Sequence, residues 1–481
     1  MIIKENIEEF QSYLVDAGNL HGIASKLFIP ENIEELIEIV KQCYNSNQNI
    51  TISGAGTGTT GGRVAMDGII ISTEKLNKII DFDEENMLIE VESGVTLNQL
   101  YDFLSDKNCF YAPNPTESNS TIGGNISNNS SGARTFKYGP TRNFVEELEI
   151  ILSNGDVLNI KRGQQSSFDL YEIISKNGNI YNFEIPEINY PNTKNSTGFF
   201  LKKNMDLIDL FIGNEGTLGI ISKAKLKLNN KPENVLGFMI FFDNIANCLK
   251  FVDEIREMKD ENQQKLCRLI EFFDRNSLNL INLNNNVIPI LAQSAIWIEI
   301  ECLESNSDII VEQLFDLIND YSNLSDDTIL AQNEKEHKFL ANIRHSLPLA
   351  VNDIVSKSGF RKIGTDTAIP KEFFNDFYYF MEEIFSDSKI EYVIFGHIGD
   401  CHLHGNLFPK NEDEFKKALE IYIQIINKTL EFNGSISAEH GIGKIKKQYF
   451  EMMLGKDNIE KMKIIKKVFD EKWLLGIGNL F

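Results

Sequence analysis

The chain has 481 residues, enough for two or three domains with separate cores. Hydrophobic residues at 42% and charged residues at 24% describe an ordinary globular protein. A net charge of −23 argues against a nucleic-acid partner, whose phosphates would repel such a surface.

In chain order, residues 31–47 carry apolar residues at helical spacing behind Pro30 and predict a helix. NITIS (49–53) reads as a strand, and GIIIST (68–73) as another. Between them, Gly56-Thr57-Gly58-Thr59-Thr60-Gly61 matches the G-x-G-x-x-G spacing of a dinucleotide fold. That fold needs a helix starting within the glycines, and Gly61, Gly62 and Gly68 leave no room for one. No Gly-Lys-Ser/Thr follows, so a P-loop fails too. What remains is a loop of backbone N–H groups able to cradle a nucleotide phosphate.

Strands follow at 87–93, at 145–160 as a hairpin around Asn154-Gly155, and at 219–228. Between them lies a second Gly/Asn/Ser-rich stretch, TIGGNISNNSSGARTFKYG (121–139), which reads as a structured, functional loop. From 233 the pattern becomes strand (235–242), helix (244–258), strand (268–274), strand (295–302) and helix (307–320). This predicts a ferredoxin-like α+β unit. NLNNN (282–286) reads as loop. Helices are expected near 331–355, 370–386 and 411–432, with strands near 361–368 and 390–408. The KIKK run at 444–447 reads as a solvated helix face rather than a docking patch.

No run reaches the about 18 apolar residues of a membrane helix. The N-terminus lacks the apolar region of a secretory signal, and six scattered cysteines without a C-x-x-C pair fit a reducing cytoplasm.

Four of the seven histidines fall in GHIGDCHLHGN (396–406) and SAEHGIG (437–443). A hairpin turning at Gly399-Asp400 sets His397 opposite His402, with His404 on the same face. Three imidazoles, with Glu439 and His440 supplied later, form a donor set for zinc or a similar divalent ion. On these motifs alone the chain is a metal-dependent hydrolase or a redox enzyme whose metal binds substrate.

Taken together, the motifs resemble the FAD-linked D-2-hydroxy-acid dehydrogenases of the vanillyl-alcohol-oxidase superfamily. The likeness runs from DAGNLHGIASKLFIPENIEEL (16–36) to GIGNLF (476–481). It implies an α+β fold. A two-subdomain FAD-binding domain would span 1–229 and a ferredoxin-like cap 230–432, with 433–481 returning to the FAD domain. In that family the first loop binds the FAD pyrophosphate, which implies roles for Ser53, Gly54, Ala55, Gly56, Thr57, Gly58 and Gly61. The second segment implies Pro115, Thr121, Gly123, Gly124, Asn128 and Gly132. GNEGTLGII (213–221) implies Glu215, Gly216, Gly219 and Ile221, and the C-terminus implies Asn479. The loop lacks the histidine that carries covalent FAD in some relatives, so non-covalent FAD is expected.

The family's metal motif, H-x-G-D-G-N-L-H, here reads His397-Ile-Gly-Asp-Cys-His-Leu-His404, with Cys401 and His402 departing from Gly and Asn. The resemblance implies His397, His404 and Glu439 as ligands to zinc or manganese. It implies His440 as base, Asn406 as a substrate contact and Arg344 as the carboxylate holder. A 2-hydroxy acid such as D-lactate or D-2-hydroxyglutarate would be the substrate. The electron acceptor would be a quinone, a cytochrome, an electron-transfer flavoprotein or oxygen. The expected location is the cytoplasm, with peripheral membrane attachment and a homodimer both admitted. The alternatives are a superfamily oxidase of another alcohol or sugar, which would leave the His/Glu cluster unused, and a metal-dependent hydrolase, which would leave the two glycine-rich segments idle.

Overall fold

The computed structural model describes residues 1–164, 170–260, 263–285 and 287–481. Three sheets organise the chain. The first is four-stranded and contains the parallel neighbours Ile50–Ser53 and Ile69–Ser72. The Gly-rich loop 54–68 joins these two strands without a helix, as the density of glycines predicts. The helix Ile33–Ser46 is capped by Asn32, which accepts from the Glu35 N–H at 2.9 Å, and it buries Leu36, Ile39, Val40 and Cys43.

The second sheet has five antiparallel strands, with Ile220–Lys227 between Leu88–Glu92 and Val145–Ile151. Against it packs Ile122–Asn128, a helix where the sequence reads as a loop. Glycine and asparagine are poor helix formers. Here Thr121 caps the helix, and burial of Ile122 and Ile126 four residues apart overrides propensity.

The third sheet holds eight strands. Its ferredoxin-like part, Asn234–Phe242, Cys267–Asp274, Ser294–Cys302 and Ile329–Ala331, is ordered fourth-first-third-second, all antiparallel. The hairpin Glu391–Gly396 and His402–Phe408 extends that sheet past Cys267–Asp274. The helix Arg275–Asn285 takes in the first four residues of the NLNNN run expected as loop, and Asn286 lies outside the described residues.

Past residue 433 the chain packs against the core of the five-stranded sheet through Ile436, Ile442, Phe450, Met462, Phe469 and Leu480. The helices Lys447–Leu454 and Lys456–Phe469 belong to this segment. The KIKK run is not a solvated face. Lys444 donates to the Gly61 carbonyl at 3.2 Å, and Lys447 to the Phe481 carbonyl at 3.0 Å. Lys446 is buried and donates to Asp366 Oδ2 at 2.7 Å. Ile445 is the exposed member. The run is a turn ahead of a helix, so its side chains leave in several directions and buried carbonyl and carboxylate oxygens draw three of them inward.

Candidate active site

A long cleft runs along the face where the glycine-rich segments meet. Gly54, Ala55, Gly56, Thr57, Gly58, Pro115, Thr121, Gly123, Gly124, Asn128, Glu215, Gly216, Gly219 and Ile221 all line it. The segments touch closely: a Cβ on Gly54 would stand 2.5 Å from Thr121 Oγ1, and one on Gly123 2.6 Å from Ser93 Cβ. Gly56 has φ +83°, which an L side chain rarely adopts. Gly58 lines the cleft, yet a Cβ there would meet nothing within 4 Å. A bare backbone kept open in this way fits the close approach of a phosphate.

Four residues expected at the cofactor are not among those that line this cleft. Ser53 ends its strand and turns its hydroxyl to the Gly54 carbonyl. The Gly61 N–H donates to Asp16 Oδ2 at 2.7 Å. Gly132 is packed so closely that a Cβ would lie 2.1 Å from the Asn114 carbonyl. Asn479 donates to the carbonyls of Gly62 and Glu215, at 2.9 and 3.0 Å, and so ties three segments together.

Glu439 and His440 end the cleft. Their loop is latched by Glu215, whose carboxylate accepts the N–H groups of Ile442 and Gly443 at 2.7 and 2.6 Å. Burial raises the Glu215 carboxyl to about 7 against those two bonds.

Behind Glu439 lies the histidine cluster. The hairpin register pairs Phe395 with His404, which carries His397 opposite His402. His402 and His404 share a face, with ring centroids 4.5 Å apart. Glu439 Oε2 lies 3.4 Å from His397 Nε2, and its Oε1 3.2 Å from His404 Nε2. Ligand atoms of His397, His402, His404 and Glu439 fall within 4.8 Å of one another, as do those of Asp366, His404, Glu439 and His440. Cys401 belongs to neither set. It holds φ +53°, the left-handed turn for which the motif normally supplies glycine, and burial pushes its thiol up to about 11.

Four charged residues that the sequence reading does not single out complete the site. Glu271, fully buried, hydrogen-bonds His397 Nδ1 and accepts from Arg344 Nε at 2.9 Å. Burial works to raise its carboxyl, but His397 and Arg344 outweigh that and hold it at about 2. Burial likewise works to lower His397, and the Glu271 charge raises it to about 9.

Asp366 accepts from Lys446, from Ser437 Oγ at 2.8 Å and from the backbone N–H groups of Glu439 and His440 at 3.2 and 3.0 Å. Its Oδ2, which takes the bonds from Lys446, Ser437 and the His440 N–H, also stands 3.4 Å from His440 Nδ1. Lys194 donates to Glu439 Oε2 at 2.8 Å. An acid in the middle of the apolar strand RLIEFFD could have flagged Glu271, because buried charges are paired. Nothing local marks Lys194, Asp366 or Lys446.

The His440 side chain is 38% exposed, toward the cleft. Removal from water lowers it to about 4, with Asp366 and Glu439 opposing. It is therefore neutral at pH 7 and able to accept a proton. Among the buried polar atoms left without partners in the described residues, two donors adjoin the histidine cluster: Arg344 Nη1 and Asn406 Nδ2. The Arg344 guanidinium is held over the Phe395 ring at 5.2 Å, and Asn406 follows His402 and His404 on their strand face.

The comparisons with known proteins place this fold and cleft among the flavin-dependent oxidoreductases. Residues 24–161 match the family model described as FAD binding domain, and residues 231–480 the one described as FAD linked oxidases, C-terminal domain. The chain is 30% identical over 457 residues to the glycolate oxidase subunit GlcD of Bacillus subtilis, covering 94% of this chain and 88% of that protein. It is 29% identical to a D-lactate dehydrogenase of Anaerostipes hadrus, covering 93% and 87%. It is 26% identical to a D-2-hydroxyglutarate dehydrogenase of Stutzerimonas stutzeri, covering 95% and 91%. An alkyldihydroxyacetonephosphate synthase structure shares the fold with a TM-score of 0.66 at 15% identity, over 98% of this chain and 81% of that one. The chain belongs to the FAD-linked oxidase family and is an FAD-dependent oxidoreductase. No helix among the described residues is long and apolar enough to cross a membrane.

Proposed function

We propose that the protein oxidises a D-2-hydroxy acid, of the D-lactate or D-2-hydroxyglutarate type, to the 2-oxo acid, using non-covalent FAD and a divalent ion held by His397, His404 and Glu439. The observation that carries this reading is the pair of orphaned donors, Arg344 Nη1 and Asn406 Nδ2, beside a His/Glu cluster that opens onto the cleft through His440. An unpaired buried donor costs about 1–3 kcal/mol, so such groups wait for a ligand's acceptors. Names carried by relatives in the family support the substrate class.

In this reading Arg344 and Asn406 hold the substrate carboxylate and orient C2 toward the cleft. Glu271 keeps Arg344 and His397 in register. Neutral His440 takes the hydroxyl proton, with Asp366 at its Nδ1 steadying the charge it gains. FAD, when bound, supplies the acceptor for the C2 hydride, and a divalent ion on the cluster supplies Lewis acidity toward the hydroxyl and carboxylate oxygens. The electron acceptor beyond FAD would be a quinone, a cytochrome, an electron-transfer flavoprotein or oxygen.

Anaerobic flavin reduction by D-2-hydroxy acids tests the roles. His440→Ala is expected to keep FAD and slow reduction by about 10²–10⁴-fold. An unchanged rate would remove His440 from the mechanism. Full activity in a chelated, well-dialysed protein would remove the metal.

A further inference from the structure

The three histidines of the cluster share one arrangement of neighbouring oxygens, and it extends to the residue that departs from the family motif. In each ring one nitrogen faces an oxygen acceptor and the other faces Glu439. For His397 the acceptor is Glu271, at Nδ1, and Nε2 lies 3.4 Å from Glu439 Oε2. For His404 it is the Thr365 carbonyl, 3.3 Å from Nδ1, and Nε2 lies 3.2 Å from Glu439 Oε1. For His402 the near oxygen is Asp366 Oδ1, 3.2 Å from Nε2 but outside hydrogen-bonding geometry, and Nδ1 lies 3.9 Å from Glu439 Oε2.

An acceptor on one ring nitrogen fixes the proton there and leaves the lone pair on the other, which is how metal-ligating histidines are oriented. Three ring nitrogens thus converge on one carboxylate. With bonds of roughly 2.0–2.2 Å, neighbouring atoms of a tetrahedral zinc site stand about 3.4 Å apart. The observed separations of 3.2, 3.4 and 3.9 Å bracket that value.

His402 is fully buried, and among the described residues neither of its ring nitrogens completes a hydrogen bond. A bland hydrogen-bonding neighbour would have found a partner. The rival donor set, with Asp366 and His440, is less suited. Asp366 is committed to Lys446, Ser437 and two backbone N–H groups, and His440 faces the cleft.

We propose that His402 is a fourth protein ligand, so that this chain holds its metal with three imidazoles and one carboxylate and favours zinc-class ions over manganese. The inference rests on the metal reading above and goes beyond its two-histidine, one-glutamate set. Imidazole donors suit zinc, iron and nickel, whereas oxygen-rich sets suit magnesium and manganese. Four protein ligands still admit the substrate hydroxyl oxygen, because zinc sites expand to five-coordination, while Arg344 and Asn406 hold the carboxylate.

The test uses the full-length, FAD-loaded protein, stripped of metal and titrated separately with Zn²⁺ and Mn²⁺. Zinc X-ray absorption on the unmutated protein should count three imidazoles, a readout that needs no variant. His402→Asn, which restores the family residue, should lower that count to two and weaken zinc binding by more than about a hundredfold, beyond the roughly 10–100-fold cost of losing an outer hydrogen-bond partner. Its manganese affinity should change by less than about threefold, because a manganese site draws little from an extra imidazole. Two imidazoles in the unmutated protein, or unchanged zinc affinity in His402→Asn, would overturn the proposal and leave the two-histidine site standing. If the unmutated protein binds no zinc and His397→Ala alters nothing, the metal reading itself has failed.

Discussion

Glu271→Gln isolates the charge on which both halves of the site depend. The carboxylate is fully buried, and its two oxygens serve Arg344 Nε and His397 Nδ1. Glutamine keeps the volume and one acceptor oxygen. If that oxygen stays on Arg344, the amide NH₂ meets His397 Nδ1 and drives its proton to Nε2, the nitrogen that faces Glu439. The substitution also strips Arg344 of its buried counter-charge. Breaking a buried pair from one side costs about 3–5 kcal/mol, and the glutamine oxygen recovers roughly 1 kcal/mol of that as a neutral hydrogen bond. The expected loss is therefore about 3 kcal/mol of cap stability, together with a zinc affinity about 10–100-fold weaker from the reversed ring. Urea unfolding followed by tryptophan fluorescence reads the first effect, since Trp297 pairs with Glu271 across the sheet. Chelator competition reads the second. A variant as stable as the unmutated protein, with unaltered zinc binding, would refute the argument that this one carboxylate orders Arg344 and His397.

Arg344→Lys keeps the charge but loses the planar fork, so flavin reduction should fall about 100-fold in stopped-flow absorbance, and an unchanged rate would dismiss the carboxylate-holding role. Gly58→Ala meets nothing within 4 Å, so the melting of FAD-free protein should be unaltered while FAD binding weakens by about tenfold or more, roughly 1.4 kcal/mol. Equal FAD affinity would place the phosphates elsewhere. The Glu299 carboxyl is buried, which works to raise it, but Arg268 and then His337 hold it at about 2 rather than 4.5. Because the folded value is depressed, its contribution of roughly 3 kcal/mol is complete above pH 4.5 and is lost as pH falls toward 2. Glu299→Gln should flatten the dependence of the urea midpoint on pH across that window, and an unchanged slope would contradict this.

Much of the site was legible because its chemistry is local in sequence. The loop 54–68 announced itself as a non-Rossmann cradle through where its strands begin and end. The hairpin register that brings His397 to His402 followed from a short turn and a period of two. The ferredoxin-like order followed from alternating strand and helix patterns.

The rest depended on distant partners. Gly123 and Gly124 hide a helix that only burial of Ile122 and Ile126 stabilises. Lys444, Lys446 and Lys447 looked solvated because their acceptors, Gly61, Asp366 and Phe481, lie 34 to 383 residues away. Lys194 and Asp366 sit in short polar loops whose composition resembles any turn. Only the fold shows that they surround Glu439 and His440. Asn479 and Gly61 belong to the cofactor region by motif, yet their contacts show them bracing its walls.

The most direct measurement is an anaerobic absorbance titration of the FAD- and metal-loaded protein with D-lactate and then D-2-hydroxyglutarate. The account predicts flavin bands that bleach with at least one of them, and that stop bleaching at a useful rate once the metal is chelated. A yellow protein that neither acid bleaches, or one that bleaches equally well without metal, would contradict it.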